Sequence, residues 1–276
     1  MRAVLFKEFA TRVTESPNAV AVACGTEQIG YAALDRASDA VATVLLTEGY
    51  GAGSVVGTAM ARGVGLIVGI LGIWKAGAAM LPIRSRGVDA AGMENRTDAD
   101  VDLVLDEPLV RAYVALGVRV PLAPVEPGDA AYVRRTYNSD GRSKAVALDH
   151  RRIAGRVRVT AEGYRLGAAD GLLHLTSGDS HTFFWEVFAS LVTGGRFVFD
   201  APRAAQDPVG TIDSVLRHQV TVLRVVPDAL RQLVAQPSFG SCTSLRLLFI
   251  MGGPVDAELR RRVLAELNVE LVCPRG

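Results

Sequence analysis

Short apolar runs of strand-like composition alternate along this chain with longer segments whose apolar residues recur at helical spacing. Strands are predicted at 19–23, 55–57, 101–105, 131–134, 196–199, 220–225, 245–250 and 269–272. Helices are predicted at 5–13, 34–46, 63–75, 150–162, 183–193, 211–218, 228–235 and 256–267. Because strands that alternate with helices form mainly parallel, doubly wound sheets, the sequence predicts an α/β fold.

Composition narrows the class of protein further. The 276 residues are 49% hydrophobic, which is enough for one large α/β unit or two smaller ones. Thirty basic and 29 acidic residues give a net charge of +1, which argues against nucleic-acid or anionic-membrane partners. The three widely spaced cysteines indicate neither a disulfide framework nor a zinc site, so we expect a cytoplasmic protein without a structural metal.

The segment 136–145 reads TYNSDGRSKA and has the outline of a phosphate-binding loop. Such a loop turns backbone N–H groups and small hydroxyls toward phosphate oxygens, needs glycine where the chain bends, and uses a cation to close the site. Gly141 and Lys144 meet two of these needs, and Lys144 is one of only three lysines in the chain. A polar stretch of this kind is also typical of an ordinary surface turn between strands.

Four further segments stand in a fixed order around this loop. They are 29–34 (IGYAAL), 74–83 (WKAGAAMLPI), 180–186 (SHTFFWE) and 251–254 (MGGP). With the loop, they resemble the adenylation domain of nonribosomal peptide synthetases, which belongs to the adenylate-forming acyl, aryl and aminoacyl ligases. The resemblance covers the whole chain and implies the layered, doubly wound sheets of the N-terminal core of these enzymes. Taken singly, the segment at Lys75 also reads as a helix end before glycine, and Trp185 as a core residue.

The resemblance implies an altered phosphate loop. The family pattern is Thr-Ser-Gly-Ser-Thr-Gly-x-Pro-Lys-Gly, and the positions kept here are Thr136, Ser139, Gly141 and Lys144. The changed positions are Tyr137, Asn138, Asp140 and Ala145. Asp140 places a carboxylate beside a polyanion, at a cost of about 1 to 4 kcal/mol for charges about 4 Å apart. We therefore expect the ATP and magnesium of the family to bind weakly or not at all, and expect no cofactor.

The resemblance also implies a substrate pocket with changed chemistry. Its lining residues would be His181, Thr182, Trp185, Arg224, Ile250 and Gly252. His181 stands where the family has an aspartate that anchors the α-ammonium group of an amino acid, and an imidazole lacks that anchor. Arg224 is expected to add positive charge to the cleft. We do not expect an ordinary α-amino acid as the ligand.

The family pattern continues beyond Gly276 into a Tyr-Gly-Pro-Thr-Glu motif, a barrel and a small C-terminal domain. We therefore predict that residues 1–276 form a truncated N-terminal core with subregions of about 1–150 and 151–276. Apolar surface uncovered by this truncation would be buried against a partner domain, a second copy or repacked C-terminal residues, so a homodimer is one of the expected assemblies.

These changes predict a non-catalytic adenylation domain of a nonribosomal peptide synthetase. It would be a platform for neighbouring carrier and condensation domains, while an adenylation domain acting in trans supplies the amino acid. One alternative is a divergent or split ligase that activates a carboxylic acid without an α-amino group. Another is a small-acid binding module.

Overall fold

The structure is a computed structural model that describes residues 4–83, 101–122, 124–137, 143–175, 182–199 and 207–273. The chain divides into two compact units. The first comprises residues 1–18 and 31–155, and the second comprises residues 19–30 and 156–276. The chain therefore enters the second unit for one short segment, returns to the first, and then completes the second.

Helices and strands alternate through most of the described residues. The helices are α1 (Val4–Glu15), α2 (Tyr31–Thr47), α3 (Val64–Lys75), α4 (Glu107–Leu116), α5 (His150–Gly163), α6 (Thr182–Thr193), α7 (Pro208–His218), α8 (Pro227–Val234) and α9 (Ala257–Glu266). The strands are β1 (Val20–Cys24), β2 (Glu27–Gly30), β3 (Val55–Thr58), β4 (Ala79–Pro82), β5 (Leu103–Leu105), β6 (Ala130–Tyr137), β7 (Ser143–Asp149), β8 (Gly171–His174), β9 (Arg196–Phe199), β10 (Val222–Val225), β11 (Leu247–Ile250) and β12 (Glu270–Val272).

The first unit contains a five-stranded sheet in the order β5-β3-β4-β6-β7. Its strands are parallel except β7, which pairs antiparallel with β6. Helix α3 is buried along almost its whole length, as its apolar sequence predicts. The indole of Trp74 at the end of this helix donates a hydrogen bond of 2.7 Å to the carbonyl oxygen of Ala131 in β6, which fixes helix and strand together.

The second unit contains a seven-stranded sheet in the order β12-β11-β10-β8-β9-β1-β2. All of its neighbouring strands are parallel except the terminal pair of β1 and β2. One face of β8, β10 and β11 packs on an apolar core shared with α7, α8 and α9. This packing is typical of strands buried by crossover helices.

The predicted fold class is confirmed, because the two sheets are mainly parallel and covered by helices. Strands β2, β4, β7 and β8 and helix α4 were not predicted. Helix α4 nevertheless carries clear end signals, since the Asp106 carboxylate accepts from the Leu109 N–H and Gly117 closes the helix with a φ of 64°. Strands β2 and β7 each pair antiparallel with a neighbour in a hairpin, so they fall outside the alternation of strands and helices that predicts parallel sheets.

Candidate functional site

The predicted phosphate loop connects β6 and β7, which form an antiparallel hairpin. Thr136 pairs with Lys144 and Tyr137 with Ser143, so the residues that flank the loop stand opposite one another. Ala145 follows with an exposed side chain. The remaining predicted loop residues, Asn138, Ser139, Asp140 and Gly141, lie outside the described residues.

A buried histidine follows this hairpin directly. His150 begins α5, and its side chain is 1% exposed. Its ring centroid lies 5.5 Å from those of Phe6 and Trp74. Within the described residues neither ring nitrogen has a hydrogen-bond partner. Burial lowers the pKa of His150 to about 4, although the carboxylates of Asp129 and Asp149 act in the opposite direction, so the ring is neutral near pH 7.

The other predicted site residues belong to elements that meet at the carboxyl edge of the seven-stranded sheet. In this sheet β8, β10 and β11 are parallel, and His174, Arg224 and Phe249 stand in one row across them. Thr182 and Trp185 lie on α6, the helix that follows β8, and Trp185 is 8% exposed. His181 lies outside the described residues.

Arg224 occupies a buried polar cluster. Its Nη1 lies 2.9 Å from Oε1 of Glu186 on α6, and both side chains are almost fully buried. The hydroxyl of Tyr164 donates to the same Glu186 oxygen at 2.6 Å. The Tyr164 ring packs edge-on against Phe249, with centroids 4.2 Å apart. The expectation that Arg224 adds positive charge to the cleft is therefore corrected, because a buried guanidinium needs a counter-charge and Glu186 supplies it.

Ile250 and Gly252 are placed differently from Arg224. Ile250 is 1% exposed and belongs to the apolar core that includes Leu223 and Val225. Since successive side chains of a strand point to opposite faces, the sheet separates Ile250 from Arg224. Gly252 lies just beyond β11 with a φ of 85°, a backbone conformation that favours glycine. The role of these residues in one substrate pocket stays a prediction.

Two members of the buried cluster, Glu186 and Tyr164, were not predicted as site residues. Glu186 is the last residue of the predicted 180–186 segment, so its position was available as a signal. Tyr164 lies just after α5 and carries no motif, so only the fold brings it to Glu186.

In the described part of the chain, no group of three or more metal-binding side chains occurs. None of the described helices has the length and apolar composition that a membrane span requires.

Two layered α/β units with mainly parallel sheets and the β6–β7 hairpin define the N-terminal core of an adenylate-forming enzyme. Residues 9–115 and 88–273 match the family model described as AMP-binding enzyme. The chain belongs to this family.

Similar proteins place the chain more closely within the family. It is 30% identical to indigoidine synthase of Streptomyces lavendulae over 94% of this chain and 22% of that protein. It is 31% identical to phenyloxazoline synthase of Mycolicibacterium paratuberculosis over 95% of this chain and 24% of that protein. The solved nonribosomal peptide synthetase FmoA3 superimposes with a TM-score of 0.81 at 26% identity, over 98% of this chain and 31% of that one.

These comparisons identify an adenylate-forming domain similar to those of nonribosomal peptide synthetases. The chain spans about a quarter of the length of both synthases, at 22% and 24%.

The prediction that this chain is not an enzyme is contradicted by its family. The matching model describes enzymes, and the similar proteins are named synthases. That prediction rested on the changed loop positions, chiefly Asp140, on His181 and on the expected truncation. Asp140 and His181 both lie outside the described residues. The fold of the family and the β6–β7 hairpin are present in this chain.

Proposed function

We propose that this chain is the nucleotide- and acid-binding core of an adenylating enzyme. In the reaction, a carboxylate oxygen of the acid bonds to the α-phosphorus of ATP, and the bond to the leaving pyrophosphate breaks. The observation that carries the proposal is the register of the β6–β7 hairpin, which sets Thr136 opposite Lys144 at the mouth of the loop. A hydroxyl, a cation and the intervening backbone N–H groups are the components that bind phosphate.

Support for a nucleotide site also comes from a structural neighbour. FmoA3, which is 26% identical to this chain, has been solved in a form bound to AMPPNP. In the present chain Lys144 would contact the phosphates, while the Asp140 carboxylate opposes them. Magnesium, when bound, would supply positive charge that offsets the charge of the phosphates. Among the described residues no group of three or more metal-binding side chains is assembled to hold it. We therefore propose an ATP site of reduced affinity.

The acid substrate is proposed to lack an α-ammonium group. FmoA3 has also been solved with an adenylate of α-methyl-L-serine, an amino acid. The present chain has His181 at the position where the family resemblance expects the anchoring aspartate. A 2-hydroxy, 2-keto or aryl acid needs no carboxylate at that position and fits the substitution.

ATP–pyrophosphate exchange by the protein at its full natural length tests this proposal. Each amino acid is compared with its 2-hydroxy and 2-keto analogues, and simple aryl acids form a third group. We expect exchange with acids that lack the amino group, and a His181→Asp variant should move the preference toward amino acids. His181→Asn is the matched uncharged control and should not. A wild-type preference for amino acids, or no exchange with any acid, contradicts the proposal.

The size of the similar synthases favours a second, additional role in a larger assembly. We propose that the chain works inside a multidomain synthetase, where it also positions neighbouring carrier and condensation domains. Intact mass measurement of the neighbouring carrier domain tests whether this chain or an adenylation domain in trans loads it. Loading by neither would remove this second role.

Two remaining expectations accompany this proposal, and the same experiments test one alternative to it. Self-association into a homodimer is checked by light scattering, and a cytoplasmic location by cell fractionation. The small-acid binding module differs from an adenylating enzyme in binding acid without pyrophosphate exchange. The exchange assay therefore separates the two functions directly.

A further inference from the structure

The cluster of Tyr164, Glu186 and Arg224 is buried far more deeply than polar groups usually are. The exposed fractions of Tyr164, Glu186 and Arg224 are 5%, 2% and 5%, respectively. Burial of one charge without its partner is strongly unfavourable, so Glu186 and Arg224 depend on each other. Their opposite charges cancel at a separation of 2.9 Å between Oε1 and Nη1.

The cluster lies where ligands bind in open parallel sheets. Arg224 is the third of the four residues of β10 and stands between His174 of β8 and Phe249 of β11. All three strands run in the same direction, so their carboxyl ends meet at one edge, and ligands of such sheets bind outside that edge. The charge that β10 presents at this edge therefore depends on which group balances the charge of Arg224.

Tyr164 contributes to holding Glu186 in place. Its hydroxyl donates to Oε1, the same oxygen that faces Arg224. Burial, followed by the nearby Glu186 carboxylate, raises the pKa of Tyr164 well above its usual value, so this hydroxyl keeps its proton and remains a donor. Edge-on packing against Phe249 fixes the ring from the side of β11.

We propose that Glu186, oriented by Tyr164, neutralises Arg224 and so makes this edge of the sheet select acids whose only anionic group is the reacting carboxylate. The inference rests on the proposed function and narrows its substrate class to monocarboxylic acids with an uncharged remainder. Glu186 and Tyr164 are positioning residues in this scheme, because they act through Arg224. An Arg224 without its counter-charge would instead attract a second carboxylate on the substrate.

Paired acids of equal length test the inference. One acid of each pair is a dicarboxylate and the other is its monoamide, so that the two differ mainly in one charge. Binding is measured by isothermal titration, and activation is measured by pyrophosphate exchange. The proteins compared are the wild type, Glu186→Gln, Tyr164→Phe and a double variant that combines Glu186→Met with Arg224→Met. The double variant removes both charges and is the matched control, since apolar replacement of a buried pair is tolerated.

The wild-type protein and the double variant should both prefer the monoamide. Glu186→Gln should raise the ratio of dicarboxylate to monoamide affinity by about tenfold or more, because one positive charge is uncovered. Tyr164→Phe should shift the affinity ratio in the same direction by a smaller factor. In the exchange assay its effect should fall on KM rather than on kcat. This variant tests the inference even where Glu186→Gln does not fold.

Unchanged binding ratios in both Glu186→Gln and Tyr164→Phe would overturn the inference. A wild-type protein that binds the dicarboxylate more tightly than the monoamide would also overturn it. Failure of all variants to bind either acid would overturn it as well. Exchange is scored separately. Absence of exchange together with the expected binding ratios would contradict adenylation but not the charge selection.

Discussion

Arg246 and Asp170 form a two-point ion pair at the amino edge of the seven-stranded sheet. Arg246 Nε lies 2.8 Å from Asp170 Oδ1, and Nη2 lies 2.9 Å from Oδ2. Thr221 Oγ1 donates to the same carboxylate at 2.5 Å. These residues stand immediately before β11, β8 and β10, so one carboxylate ties together the starts of three parallel strands.

Replacing Asp170 with Asn should lower the free energy of unfolding by about 2 kcal/mol, because it leaves a partly buried guanidinium without its counter-charge. Burial alone would raise the pKa of Asp170, but hydrogen bonds from Arg246, Thr221 and the Gly167 N–H outweigh it and hold the pKa below its usual value. The stabilisation is therefore present above the ordinary aspartate pKa and is lost as the pH falls through the lowered one.

Urea unfolding near pH 7 and at acid pH measures both effects of the Asp170 change. Asp213→Asn on the exposed face of α7 is the control, since it makes the same chemical change outside the network. Equal stabilities of the two variants would show that the ion pair contributes nothing.

His150 should make stability depend on pH in the weakly acidic range. Its pKa falls from 6.5 in the unfolded chain to about 4 in the folded one, so the unfolded state binds more protons between these values. The contribution is complete above the unfolded pKa and is lost as the pH falls toward the folded one, by about 3 kcal/mol in total.

Unfolding free energies of the wild type and His150→Phe, measured between pH 4 and pH 8, check this contribution. The difference between the two proteins should shift steadily in favour of the variant as the pH falls. Parallel curves for the two proteins over this range would disprove the assignment.

Gly72 allows close packing of α3 on α2. An added Cβ would lie 2.5 Å from Val41 Cγ1 and 3.2 Å from the Ser38 carbonyl oxygen. Gly72→Ala should therefore destabilise the protein by about 1–3 kcal/mol. Gly155→Ala is the matched helix control, since no described atom lies within 4 Å of its added Cβ, and it should stabilise by about 1 kcal/mol. Thermal unfolding separates the two, and the same sign for both changes would contradict the packing argument.

Asp140→Thr should tighten ATP binding between about fivefold and a thousandfold. The change removes an electrostatic cost of about 1 to 4 kcal/mol at the predicted phosphate loop. Titration with ATP at low ionic strength measures it, and Asp213→Asn, which changes the net charge equally, should leave the affinity as in the wild type. If both variants bind ATP equally, the carboxylate of Asp140 does not face the phosphates.

Most helices and parallel strands were predictable because local periodicity reflects the face that each element buries. Helix α3 illustrates this, since its prediction at 63–75 differs from the observed Val64–Lys75 by one residue. Strands β2 and β7 were not predictable in the same way, because each is defined by an antiparallel partner. Strand β6 likewise ends at Tyr137, beyond its predicted end at residue 134, because Tyr137 pairs with Ser143 of β7. Composition alone had assigned these last residues to a loop.

The candidate site was predictable as a set of landmarks and less so as a geometry. Arg224 was identified, but the compensation of its charge was not, because the compensating Glu186 lies 38 positions earlier and Tyr164 carries no signal. Ile250 and Arg224 were predicted to line one substrate pocket, and the alternation of β10 and β11 places their side chains on opposite faces of the sheet. Their shared role stays a prediction.

The sequence by itself determined the α/β class, the order of the landmarks and hence the family, since these depend on local periodicity and residue identity. Only the tertiary structure decided that β1 and β2 join the sheet of the second unit, and that Glu186 cancels the charge of Arg224. The physical reason is that strand pairing and charge compensation are set by distances between residues far apart in the chain, and no local pattern encodes those distances.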